Sequence, residues 1–209
     1  MNKEKVIFGL KWFYKSFIWL FILFLGIDIL TKQIIMHSGL QPNRNEYFNW
    51  GFVHIGYVLN YNAAFGLGAS DTETGRLISR VVYLVVASLV TAGLVTYLIL
   101  KRKTMKLYVR ACLVLVITGA VGNMIDRIFY APYHAVVDWI DFYWFWGYNF
   151  NIADSCIVVA AFMLIIYIIV LEVKDYLAKR KEETVTVKTL SKTEQERLNQ
   201  ENKDKEENK

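Results

Sequence analysis

An all-α membrane protein, with four transmembrane helices and a small extracytoplasmic β element, is the fold the sequence predicts. Three observations predict it. The chain of 209 residues is 55% hydrophobic and has a positive mean hydropathy, more apolar than an ordinary soluble domain of that length. Four apolar runs each reach the about 20 helical residues needed to cross a hydrocarbon core of about 30 Å. Between the first two lies a stretch rich in aromatic and β-branched residues, which reads as strand.

The first span covers Ser16–Met36. Lysines at 3, 5, 11 and 15 precede it, as in a secretory leader, but no Ala-x-Ala cleavage site follows, so it is expected to be retained. The connection from His37 to Arg76 contains the strand-like run Tyr47–Leu59. Span two, Leu77–Leu100, leads through Lys101, Arg102, Lys103 and Lys106 into span three, Leu107–Ile125. A second connection, Asp126–Phe150, precedes span four, Ile152–Leu171, after which come Lys174, Lys179, Arg180 and Lys181. Lys and Arg flanking a span mark its cytoplasmic end. Both termini and the 101–106 link are therefore expected inside, with the two longer connections outside. Residues 1–175 form one four-span membrane domain, and 176–209, mostly Glu, Lys, Asn and Gln, form a solvated cytoplasmic tail, disordered or loosely helical.

The net charge of +5 belongs to these membrane flanks, so no nucleic-acid partner is expected. Cys112 and Cys156 both fall inside spans and offer neither a disulfide framework nor a zinc spacing.

The informative residues are polar groups placed where they are costly. A charged side chain at the centre of a span costs about 2.5–3.5 kcal/mol even on insertion scales, so such residues tend to be functional. Asp28 and Lys32 lie one turn apart on span one, acid before base, as a favourable pair requires. A mutual salt bridge accounts for them as well as a direct role does. Span three ends in TGAVGNMIDR, where Gly119 and Gly122 let another helix approach and Asn123, Asp126 and Arg127 reach the outer end. Taken alone, Asp126 and Arg127 could be an interfacial ion pair. Span four opens with FNIADS, bringing Asn151 and Asp154 to the same depth. There the helix dipole favours a negative charge, so a plain N-terminal acid is a competing reading.

The outer loop AVVDWIDFYWFWGYNF is too aromatic to be solvated and brings Asp138 down to the interface, with Asp141 as the alternative carboxylate. The first connection ends in NYNAAFG, whose Asn60 and Asn62 can donate or accept hydrogen bonds beside the small Ala63 and Ala64. A plain turn there is an equal reading.

Two carboxylates brought together cannot both ionise cheaply, so the pair keeps one proton and supplies a general base and a general acid. That is the aspartic-protease arrangement. No HExxH pair is present, and His134 with Asp138 lacks a third ligand for zinc. A Ser-Lys dyad through Lys32 has no serine tied to it by a motif. A proton- or ion-coupled transporter is the stronger rival, since intramembrane Asp, Lys and Arg also mark ion paths. These residues, however, stop at the outer half of the bilayer.

In DILTK, NYNAAFG, GAVGNMIDR, VVDW and FNIADS, in that order from Phe17 to Leu171, the chain resembles the bacterial lipoprotein signal peptidases, or signal peptidase II. The resemblance implies an aspartic endopeptidase of the inner membrane that needs no metal or other cofactor. Its catalytic pair would be Asp138 and Asp154, with Asp28, Lys32, Asn60, Asn123, Arg127 and Asn151 in support. Its substrates would be prolipoproteins, cut before a cysteine that carries a diacylglyceryl group, by a monomer in contact with membrane lipid. Asn62 stands where the family pattern usually has glycine.

Overall fold

The computed structural model describes residues 9, 13–44, 47–61, 72–130, 134–144 and 148–207. Among the described residues, four helices are long and apolar enough to cross a membrane. They are α1 (Ile18–Met36), α2 (Glu73–Leu100), α3 (Leu107–Phe129) and α4 (Ile152–Glu207). The strands are β1 (Tyr47–Trp50), β2 (Val53–Asn60), β3 (Val136–Asp141) and β4 (Asn149–Phe150). They form one antiparallel sheet in the order β1-β2-β3-β4.

Each span falls where its apolar run predicts, and the ends differ for local reasons. Helix α2 begins at Glu73, ahead of Leu77, because Thr72 caps it by accepting from the Gly75 amide at 3.1 Å. Helix α3 continues past Ile125 to Phe129, so Asp126 and Arg127 sit on its last turns instead of in a loop.

Compact units divide the chain at Met163 and Leu164. The unit from Leu164 onward is helical through Glu207, including 176–207, where the sequence is compatible with either disorder or a loose helix. No Gly or Pro occurs after Ile152 to interrupt it.

The sheet is larger than the sequence predicts. The run Tyr47–Leu59 splits into a hairpin turning at Gly51, whose φ of 68 suits glycine. Much of the stretch read as an aromatic loop supplies β3 and β4. One sheet face closes an apolar cluster of Tyr57, Leu59, Ala135 and Val137 with Ile35 near the end of α1. Asn60 and Asp138 occupy the alternate positions and so face the other way.

Helix packing depends on two glycines. A Cβ on Gly119 would come within 2.3 Å of the Ala153 carbonyl oxygen and 2.5 Å of Ile157 Cγ1. One on Gly122 would come within 2.8 Å of Asp28 Oδ2 and 3.0 Å of Ala153 Cβ. Helix α3 thus approaches the first turn of α4 and the Asp28 side chain as closely as backbone allows, the role expected for small residues in a membrane.

Candidate active site

Lys32 is the centre of the polar cluster. Its side chain is fully buried, and Nζ donates to Asp28 Oδ2 at 2.7 Å, Asp126 Oδ2 at 2.8 Å and Asn123 Oδ1 at 3.3 Å. An ammonium has three N–H groups, and these acceptors use all three. The i, i+4 pair expected on span one is present, but Lys32 also has a second carboxylate partner. Asp126 is thus buried with Lys32 instead of lying exposed at a helix end.

Each partner of Lys32 fixes another element. The Oδ1 atom of Asp28 accepts from the Ala153 amide at 2.9 Å, tying α1 to the start of α4. Oδ2 of Asp126 accepts from the Val137 amide at 3.2 Å, tying α3 to β3 beside Asp138. Asn123 uses its amide oxygen for Lys32, so its Nδ2 points at Asp154 and donates to Oδ1 at 2.7 Å.

Asn151 connects the two candidate catalytic acids. It caps α4, its Oδ1 accepting from the Asp154 amide at 2.8 Å. With that oxygen engaged, Nδ2 donates to Asp138 Oδ1 at 2.7 Å and to Asn123 Oδ1 at 3.1 Å. The other oxygen of Asp138, Oδ2, accepts from Asn60 Nδ2 at 2.9 Å across the β2–β3 pair. In the register Val58 lies opposite Asp138 and Asn60 opposite Val136, so this contact is a diagonal on one face of the sheet.

Asp138 is only 2% exposed. Burial, and then the facing charge of Asp154, push its carboxyl from the ordinary 3.8 up to about 8. Asn60 and Asn151 act in the opposite sense without reversing the shift. The Asp138 and Asp154 pair is thereby biased toward keeping a proton near neutral pH. Arg127 completes the cluster, 4% exposed, with Nη1 donating to the Asn123 carbonyl at 3.4 Å and the guanidinium over the Tyr83 ring.

The structure thus brings together Asp28, Lys32, Asn60, Asn123, Asp126, Arg127, Asp138, Asn151 and Asp154. Asn62 lies outside the described residues. Asp141, the alternative carboxylate, does not join them. It stands at the far end of β3, its Oδ2 4.0 Å from His54 Nδ1, beside a His54 ring stacked between Tyr47 and Tyr143. A three-residue step along a strand reverses the face. Ser155 donates to the Asn151 carbonyl at 2.8 Å, a local helix contact that leaves a Ser-Lys dyad without support. Among the described residues, no group of three or more His, Cys, Asp or Glu side chains is placed to hold a metal ion.

Sequence reasoning missed Tyr83, an unremarked tyrosine in an apolar span, and the β3 strand itself. The β-branched and aromatic residues of VVDWID were the available signal for the strand.

The chain is similar to known proteins over most of its length. Residues 20–170 match the family model described as signal peptidase (SPase) II. The lipoprotein signal peptidase of Clostridioides difficile is 34% identical over 76% of this chain and 98% of its own. That of Symbiobacterium thermophilum is 39% identical over 71% and 90%. A bacterial membrane enzyme solved by the in meso method at 2.3 Å superposes with a TM-score of 0.60 at 26% identity, covering 73% of this chain and 86% of the other. The transporter reading finds no support in these likenesses. Four apolar helices, together with these relatives, fit a multi-pass bacterial inner-membrane protein. The chain belongs to the signal peptidase II family of lipoprotein signal peptidases, and it is a peptidase.

Proposed function

We propose that Asp138 and Asp154 are the catalytic pair. In this reading they cut the signal peptide of a prolipoprotein at the bond before a diacylglyceryl-modified cysteine. The carrying observation is that Asn151 joins the two acids, capping Asp154's helix with one end of its amide and holding Asp138 with the other. Burial keeps Asp138 protonated at neutral pH. Asp154, on the first turn of α4 and held by Asn123, carries the pair's negative charge.

Asp154 takes a proton from water as the oxygen attacks the scissile carbonyl. Asp138 gives its proton to the carbonyl oxygen, forming a neutral tetrahedral diol. Asp154 then passes its proton to the amide nitrogen and the C–N bond breaks. The diol returns a proton to Asp138 as the new carboxyl forms, which restores the pair. Lys32 and the asparagines do not react. They fix the two carboxyls in place, and positioning of this kind supplies much of an enzyme's advantage.

Basic residues flanking the spans put the termini and the 101–106 link inside. The aspartate pair and the sheet then lie toward the outer leaflet, where a substrate with its lipid in the bilayer and its mature part outside can reach them. Residues 1–175 act as the peptidase domain, as a monomer among lipid, and 176–209 form a cytoplasmic tail.

Reconstituted protein should cleave a diacylglyceryl-modified precursor. Asp138→Asn and Asp154→Asn should each abolish cleavage while the protein stays folded. Full turnover by either variant overturns the assignment. Ion flux across sealed vesicles without cleavage would favour transport instead.

A further inference from the structure

We propose that Tyr83 is a positioning residue for this reaction, its ring face holding the Arg127 guanidinium against the aspartate pair. The inference rests on the peptidase reading above. Helix α2 buries no residue fully. Ser88 Oγ meets Met124 Sδ at 3.6 Å. At Tyr83 the contact is different in kind, since Arg127 Cζ stands 3.9 Å from the ring centroid.

A planar guanidinium stacks well on an aromatic face, and the ring quadrupole attracts the cation without adding a charge to the bilayer. Arg127 Nη1 also donates to the Asn123 carbonyl at 3.4 Å.

The position of the guanidinium matters because its charge acts on both Asp138 and Asp154. A cation beside a pair of acids favours ionisation of one of them. If the cation drifts, the pair holds protons more tightly, and its singly protonated form moves to higher pH. Tyr83 thus bears on the reaction without touching substrate. A long aliphatic side chain could fill the same space but could not hold the cation.

The test compares wild type with Tyr83→Met, Tyr83→Phe and a protein carrying trifluorophenylalanine at position 83. Each is purified whole in detergent and assayed on a diacylglyceryl-modified precursor peptide across the pH range. Tyr83→Met should lower kcat roughly tenfold with KM changed less than about twofold. Its pH profile should move upward. Tyr83→Phe keeps the ring face and should recover most of what Tyr83→Met loses. The fluorinated ring keeps the shape but weakens the π face, and should fall between them.

A wild-type kcat and pH profile in Tyr83→Met overturns the proposal, as does a loss that tracks a lower melting temperature with an unmoved profile. Should Tyr83→Met not fold, the fluorinated ring against Tyr83→Phe decides, and equal profiles overturn it. Wild-type protein that cleaves nothing overturns the peptidase reading and this proposal with it, whereas active wild type with insensitive Tyr83 variants overturns this proposal alone.

Discussion

Helices α2 and α3 are both long and apolar enough to span a bilayer, yet they do opposite work. Helix α3 buries Gly119, Gly122, Asn123, Asp126 and Arg127 among its neighbours, while α2, five residues longer, buries none. The difference lies in which apolar residues are missing. Helix α2 presents Val81, Val82, Val85, Val86 and Leu89 outward, each about half exposed or more, as a lipid-facing surface should. Helix α3 replaces such residues with glycines on the side toward α4 and with polar groups at its end. In hydrocarbon there is no water to expel between helices, so close packing and internal hydrogen bonds decide which helix joins the centre.

The largest test of this contrast is chemical. Replacing Asp138 or Asp154 by Asn should lower kcat/KM by about 10²–10⁴-fold, the usual contribution of a positioned acid or base. Precursor cleavage measures it. Asp141→Asn, at the other end of the same strand, should leave cleavage within about twofold.

Removing the cation comes next. Lys32→Met leaves Asp28 and Asp126 buried without their shared partner, and should cost about 3–5 kcal/mol of stability. Thermal unfolding in detergent reads this loss. The variant should also lose activity, because Asn123 loses one of the two donors that hold its amide oxygen away from Asp154.

The glycines give the sharpest comparison, since α2 carries one of its own. Gly119→Ala forces a Cβ to 2.3 Å from the Ala153 carbonyl and should cost about 1–3 kcal/mol, as overpacking does. Gly93→Ala on α2 meets nothing within 4 Å. It should be neutral or raise stability by about 0.5–1 kcal/mol, from the better helix propensity of Ala. Equal effects at the two positions, read by the same unfolding assay, would break the contrast.

The contrast also shows what a sequence reveals. The four spans were legible because an apolar run of that length seldom occurs outside a membrane. Gly119 and Gly122 were legible through their spacing beside polar residues. Asp28 with Lys32 was legible as a pair, but the third member, Asp126, lies far along the chain, and no local pattern joins it to Lys32. The strand at Val136–Asp141 was hidden by its aromatic surroundings, which look the same in a loop at a membrane surface. Tyr83 was hidden because a tyrosine in an apolar run signals nothing until its neighbour is known.

One measurement reaches the central claim, that Asp138 holds the proton and Asp154 the charge. It is the pH dependence of kcat/KM on a diacylglyceryl-modified precursor. Asp138 is pushed up to about 8, so its proton is present at neutral pH and is lost as pH rises through that value. The rate should hold near neutrality and fall above pH about 8 as the acid is lost. A rate that stays level or climbs well beyond pH about 8 would contradict the account.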